Sequence, residues 1–130
     1  MDSSTILLKC GLLCLKLTND YRAHTKFILD RRERQEGKTP SIEFKRREMN
    51  NSLDIGSFIL DTHSKKYYRI YQINDSDGLD LHALVDNSTG IVYKPKSNGY
   101  KYNNNLSWDI DQCIRVADWR GYYLNADPVV

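Results

Sequence analysis

One segment of this chain dictates its own local geometry. Residues 81–95 read Leu-His-Ala-Leu-Val-Asp-Asn-Ser-Thr-Gly-Ile-Val-Tyr-Lys-Pro. Leu79, Leu81, Ala83 and Val85 alternate with Asp80, His82, Leu84 and Asp86, the period of a strand with one buried and one wet face. Asn87, Ser88, Thr89 and Gly90 turn the chain, with Gly90 free to take the left-handed conformation that a tight hairpin demands. Residues 91–94 return as a second strand, which Pro95 stops.

The neighbouring pattern extends this hairpin in both directions. Leu53, Ile55, Phe58 and Leu60 fit a strand with Gly56 as a bend, residues 62–65 turn, and residues 66–73 carry the tyrosines and isoleucines of a half-buried strand. Asn74, Asp75, Ser76, Asp77 and Gly78 form a turn cluster. Three successive hairpin connections predict a four-stranded antiparallel meander. Ser107 or Asp109 then caps a short helix with Ile110, Cys113, Ile114 and Ala117 at helical spacing. Trp119 and Leu124 seal one end of the sheet.

The beginning of the chain has a different period. After Ser3 or Ser4 as cap, Ile6, Cys10, Leu13, Leu17, Tyr21 and Ile28 trace a helical stripe. Leu7, Leu8, Leu12 and Leu15 extend it around most of the circumference, so several sides of this helix require cover. Arg31, Arg32 and Arg34 place cations where a helix end favours them, and Gly37 and Pro40 mark the stop. The expected fold class is therefore α+β: a long N-terminal helix over residues 1–37, a polar linker over 38–52, a sheet-plus-helix domain over 53–124 and a tail over 125–130.

Charge and cysteine content narrow the function classes. The formal net charge of +2 is no whole-chain nucleic-acid footprint. The first 65 residues hold 12 Lys and Arg against 9 acids, with the excess gathered between Arg31 and Arg47 as a solvated helix end or a contact for phosphate or an acidic partner. Cys10, Cys14 and Cys113 make no even disulfide set and read as reduced core thiols of a cytoplasmic protein. His24, His63 and His82 show no zinc-like spacing to them, so no metal and no cofactor is expected. The apolar run at residues 6–17 is too short for a membrane span, is interrupted by Lys9 and Lys16, and follows Asp2 where a signal peptide would carry positive charge.

Several of these motifs, in the same order, resemble a group of small phage-encoded proteins of unassigned biochemistry. That group carries a Lys-Tyr strand, a hairpin reading His-Ala-Phe-Val-Asp, a Thr-Gly turn, Val-Tyr-Lys-Pro-Ala-Ser-Trp, and a helix ending Ala-Asp before Gly, any residue, Tyr and Leu. Here the matching residues are Lys66-Tyr67, His82-Ala83-Leu84-Val85-Asp86, Thr89-Gly90, Val92-Tyr93-Lys94-Pro95, Ser97, Ala117-Asp118 and Gly121-Tyr122-Tyr123-Leu124. The resemblance covers residues 53–124; Asn98 stands where the group has Trp, and Gly99-Tyr100-Lys101 replaces its next stretch. It implies a phage protein acting in the host cell cytoplasm or carried in the virion, and it implies no reaction.

No catalytic constellation emerges from the residue pattern, and His82 reads as a packing or surface residue. The candidate sites are binding surfaces. Leu8, Leu12 and Leu15 with Arg31, Arg32 and Arg34 form the first, for a host or phage protein or for a second copy of the chain. Tyr67, Arg69, Tyr71, Tyr93, Lys94, Lys96, Tyr100 and Lys101 form the second, aromatic and basic, for a partner protein or single-stranded nucleic acid. The expected function is a non-enzymatic phage accessory protein working as an interaction module, a host-takeover or anti-defence inhibitor acting by steric occlusion. The alternatives are a small single-stranded nucleic-acid-binding protein and a minor virion component.

Overall fold

In a computed structural model the described residues are 2–36, 56–76, 78–96 and 107–125, without the side chains of Leu29 and of residues 32–36. The expected linker at 38–52, Leu53, Ile55, Tyr100, Lys101, most of the tail and the side chains of Arg32 and Arg34 lie outside them.

Helix α1 spans Ser3–Glu36, about 51 Å at 1.5 Å per residue. Its cap is Asp2, rather than Ser3 or Ser4. The Asp2 carboxylate accepts the Thr5 N–H at 2.7 Å, and the Asp2 carbonyl accepts the Ile6 N–H at 3.0 Å. That places the oxygen on the third helical N–H, the usual capping position, and leaves both serines inside the helix. The hydrogen bond from Thr5 holds the Asp2 carboxyl below its ordinary range.

The α1 stripe Ile6, Cys10, Leu13, Cys14 and Leu17 is buried and faces the sheet. Thr18 ends it with a hydroxyl that donates to the Cys14 carbonyl at 2.8 Å and accepts the Phe58 N–H at 2.9 Å. A strand N–H at the sheet edge is thereby satisfied by the helix. Lys9 and Lys16, the charges that interrupt the apolar run, reach the C-terminal helix. Lys9 Nζ lies 2.9 Å from the Asp111 carboxylate, and Lys16 Nζ donates to the Arg115 carbonyl at 2.6 Å.

The sheet has five strands instead of four, in the order β1 (Phe58–Asp61), β2 (Tyr67–Ile73), β3 (Leu79–Asp86), β4 (Ile91–Tyr93) and β5 (Trp108–Asp109), each antiparallel to the next. The additional strand is Trp108–Asp109, and Asp109 also holds the N-cap position expected of it, although its side chain makes no capping hydrogen bond. Trp108 and Asp109 are extended and pair with Val92 and Ile91 before helix α2 (Ile110–Val116) begins. Two residues are too short to show alternation, which is why the periodicity misses them. Gly90 takes the left-handed conformation expected of it, with φ of 75°.

Phe58, Ile70, Ala83, Val85, Val92 and Trp108 from the sheet, Ile110, Cys113 and Ala117 from α2, and the α1 stripe form one buried cluster. The sequence reading sets residues 1–37 apart from 53–124; their buried side chains share a single core.

The alternation expected in β3 fails at His82. Ile70 pairs with Ala83 and Tyr71 with Leu81, so His82 is an extra residue opposite none. This bulge brings the His82 ring to the core side, 4.9 Å from the Phe58 ring. Of the four residues expected to be wet, only Asp80 is exposed. Leu84 is buried between its register partners Arg69 and Tyr93 on the opposite face of the sheet, and the Asp86 carboxylate is consumed by the turn that follows it.

Leu13→Ala should cost about 3 kcal/mol of stability, because it empties a fully buried site, whereas Leu12→Ala should cost under about 1 kcal/mol. Denaturant unfolding of the two variants checks which side of α1 is inward. Gly56→Ala should also destabilise by more than about 1 kcal/mol, since φ is 82° and a methyl there would lie 1.9 Å from the Tyr21 ring.

Candidate functional site

Leu8, Leu12 and Leu15 recur at i, i+4 and i+7, and the structure leaves them 66, 47 and 57% exposed. Gly11 lies on the same face with open space before its Cα. The stripe is therefore the outward counterpart of the buried one, with the helix body between them. Arg31 is exposed but is not part of this patch. By helix geometry it stands about 24 Å beyond Leu15 and is turned roughly 130° away from the leucines.

The second candidate surface is brought together in part. Tyr67, Arg69 and Tyr71 share the sheet face opposite α1, and Leu84 joins Arg69 to Tyr93 across the register. The Tyr67 and Tyr93 rings meet edge to face at 6.0 Å, with Lys66 Nζ 5.3 Å from the Tyr67 ring. Burial, and secondarily the neighbouring Tyr67, raises the Tyr93 phenol above its ordinary value. Among the described residues, Arg69 Nε is a buried side-chain nitrogen without a hydrogen-bond partner.

Lys94 follows Tyr93 out of the strand and donates to Asn125 Oδ1, and Lys96 is exposed beyond it. The same face also carries acids. Asp61 is the register partner of Arg69 and Asp86 that of Tyr67. A hydrogen bond from the His63 N–H is the first cause holding the Asp61 carboxyl low. Burial works to raise Asp86, but hydrogen bonds from Ser88 and Thr89 outweigh it and keep that carboxyl low. Both carboxylates oppose the phosphate-tracking that a uniformly basic face would perform.

A third feature escaped the residue pattern. After α2 the chain makes a turn at 119–121 and a 3-10 helix, Tyr122–Leu124. Trp119 packs on α1 rather than sealing the sheet: its ring lies 5.1 Å from Tyr21 and 5.2 Å from His24, and its backbone N–H donates to the Asp20 carboxylate at 2.9 Å. Tyr123 and Leu124 do the sealing and are buried. The Tyr123 hydroxyl lies 2.8 Å from His82 Nε2, and Asp118 anchors the turn by accepting the Tyr122 and Tyr123 N–H groups. Between this turn and the bulge lies a cleft of about 440 Å³ lined by Gln72, Asp80, Leu81, His82, Trp119, Arg120 and Tyr122. The only sequence signal was the run of aromatics around Gly121, which says nothing of what they face.

Burial pushes the three cysteine thiols up to about 12, so they are core groups without thiolate character at neutral pH. No group of three potential metal ligands occurs among the described residues, and no described helix is long and apolar enough to cross a membrane.

The family model of a family of unknown function, DUF7717, matches residues 2–126. The chain belongs to that family. The match takes in α1 as well as the sheet, so the helix is part of what DUF7717 describes and is no addition peculiar to this chain. No curated protein and no solved structure matches it.

Burial pushes His82 down to about 4 from 6.5, with Asp118 opposing the shift. Below pH 6.5 the unfolded chain takes up a proton that the folded chain refuses until about pH 4. Stability should therefore fall as pH drops through that window, by on the order of 1 kcal/mol per pH unit from this group. Denaturant titrations across the window should give a shallower pH dependence for His82→Gln; an unchanged slope would assign the effect elsewhere.

Proposed function

We propose that this member of DUF7717 is a non-enzymatic interaction module, a phage accessory protein that occludes a host protein in the cytoplasm. The phage assignment rests on the motif resemblance over residues 53–124. The interaction reading is carried by one observation, the exposed row Leu8, Leu12 and Leu15 on a helix whose opposite side is locked in the core. A helix anchored in this way offers an apolar stripe at little ordering cost, which is how helix-in-groove recognition gains affinity. The buried unreactive thiols and the His82–Tyr123 pair are consistent with a structural rather than a chemical use of those groups.

Substitution, not deletion, is the test, because removing α1 would also remove Ile6, Leu13 and Leu17 from the core. Tagged wild-type protein should retain a partner from host lysate, and the double variant Leu8→Glu, Leu15→Glu should lose it while keeping wild-type thermal stability. Retention by the double variant would refute the reading.

A second reading, binding of single-stranded nucleic acid, is favoured by the shared face of Tyr67, Arg69, Tyr71 and Tyr93. It ranks below the first because Asp61 and Asp86 stand on that face. Under it, oligonucleotide affinity should fall steeply with salt and drop on Arg69→Gln.

A further inference from the structure

The cleft between the β3 bulge and the 119–122 turn has the chemistry of a ligand site, independently of the helix face. One wall carries Arg120. Its guanidinium carbon lies 5.2 Å from the Trp119 ring and 5.9 Å from the Tyr122 ring, and Nη2 lies 3.2 Å from His24 Nε2. Two rings and an imidazole thus hold the cation in place, yet no described carboxylate pairs with it. Beside it Tyr122 is 60% exposed, which leaves a flat apolar face open to the cleft.

The facing wall is an acceptor wall. Gln72 and Asp80 are register partners on adjacent strands, so their side chains stand next to each other. One Asp80 oxygen accepts from Asn74 Nδ2 at 3.3 Å, and the other has no partner among the described residues. At the floor His82 is tied to Tyr123 through Nε2, leaving the Nδ1 edge as a further hydrogen-bonding position. His82 stands there only because the bulge turns it inward.

A cation with an exposed ring beside it on the turn, and a carboxylate on the strands lining the same cleft, select a flat bipolar molecule. It must be anionic at one end and rich in N–H donors at the other. We propose that this cleft binds a single nucleotide, with its phosphate on Arg120, its base stacked against Tyr122 and the base's N–H edge on Asp80. Stacking on a ring and a guanidinium plane, with hydrogen bonds to the base edge, is the general way proteins hold an unpaired base. The cleft's volume of about 440 Å³ is of the size that small ligands occupy. The same chemistry is offered by a free nucleotide and by the end of a single strand.

Trp119 reports on the cleft, since Trp108 is buried in the core. AMP and GMP should each change its fluorescence saturably in the full-length protein. Arg120→Gln and Tyr122→Ala should each weaken the response about tenfold or more, the cost of one charge-assisted bond or one stacked base. Both residues are exposed, and unchanged far-UV circular dichroism and thermal midpoint confirm that the variants fold. Tetradeoxyadenylate distinguishes the two sources: stronger binding than AMP, still lost in Arg120→Gln, assigns a strand end, and weaker binding assigns the free nucleotide. No saturable response to either mononucleotide would overturn the proposal. So would a response that Arg120→Gln leaves intact, or one given by phenylalanine and not by AMP or GMP.

Discussion

The structure depends on the contact between one stripe of α1 and one face of the meander. Ile6, Cys10, Leu13, Cys14 and Leu17 cover Phe58, Ile70, Ala83, Val85 and Val92, and α2 closes the remaining side. At roughly 2 kcal/mol for each large apolar side chain removed from water, this burial is comparable in size to the whole net stability of a domain. Polar groups at its margins are satisfied by the same approach. Thr18 takes the Phe58 N–H, Lys9 pairs with Asp111, and Asp20 takes the Trp119 N–H. The helix is therefore a structural wall of the domain before it is anything else.

The helix can then present leucines outward because its inward side has already fixed its rotation. Leu8, Leu12 and Leu15 cannot turn inward without expelling Cys10, Leu13 and Leu17. An apolar run that is nearly continuous in sequence is divided by the sheet into a core half and a surface half. The division follows from width: a flat sheet covers one side of a cylinder, and α2 adds a flank.

The bulge at His82 has a comparable consequence at the far end of the sheet. An uninterrupted β3 would direct His82 to the same side as Leu84. One extra residue places the imidazole against Phe58 and Tyr123 and leaves Asp80 beside Gln72 at the cleft. Burial keeps the ring neutral, and its bond to Tyr123 fixes the turn that carries Arg120 and Tyr122. The cleft is thus assembled from residues about forty positions apart by a single irregularity in strand pairing.

The sequence by itself determined the elements whose signals are local. The Asn87–Ser88–Thr89–Gly90 turn, the extended runs of β2 and β3, the helical spacing of Ile110, Cys113 and Ala117, and the helical period of α1 are each specified within a few residues. The candidate surfaces were legible to the same extent: parity alone places Tyr67, Arg69 and Tyr71 on one face, and spacing alone groups Leu8, Leu12 and Leu15. Tertiary structure decided the rest. It chose which side of α1 was buried, made Trp108 and Asp109 a fifth strand through pairing with β4, and set the acids Asp61 and Asp86 among the tyrosines. It also moved Trp119 onto α1 and turned His82 toward Phe58 and Tyr123 at the edge of the core. Each of these outcomes depends on a partner distant in the chain, and local periodicity carries no information about which distant surface arrives to meet it.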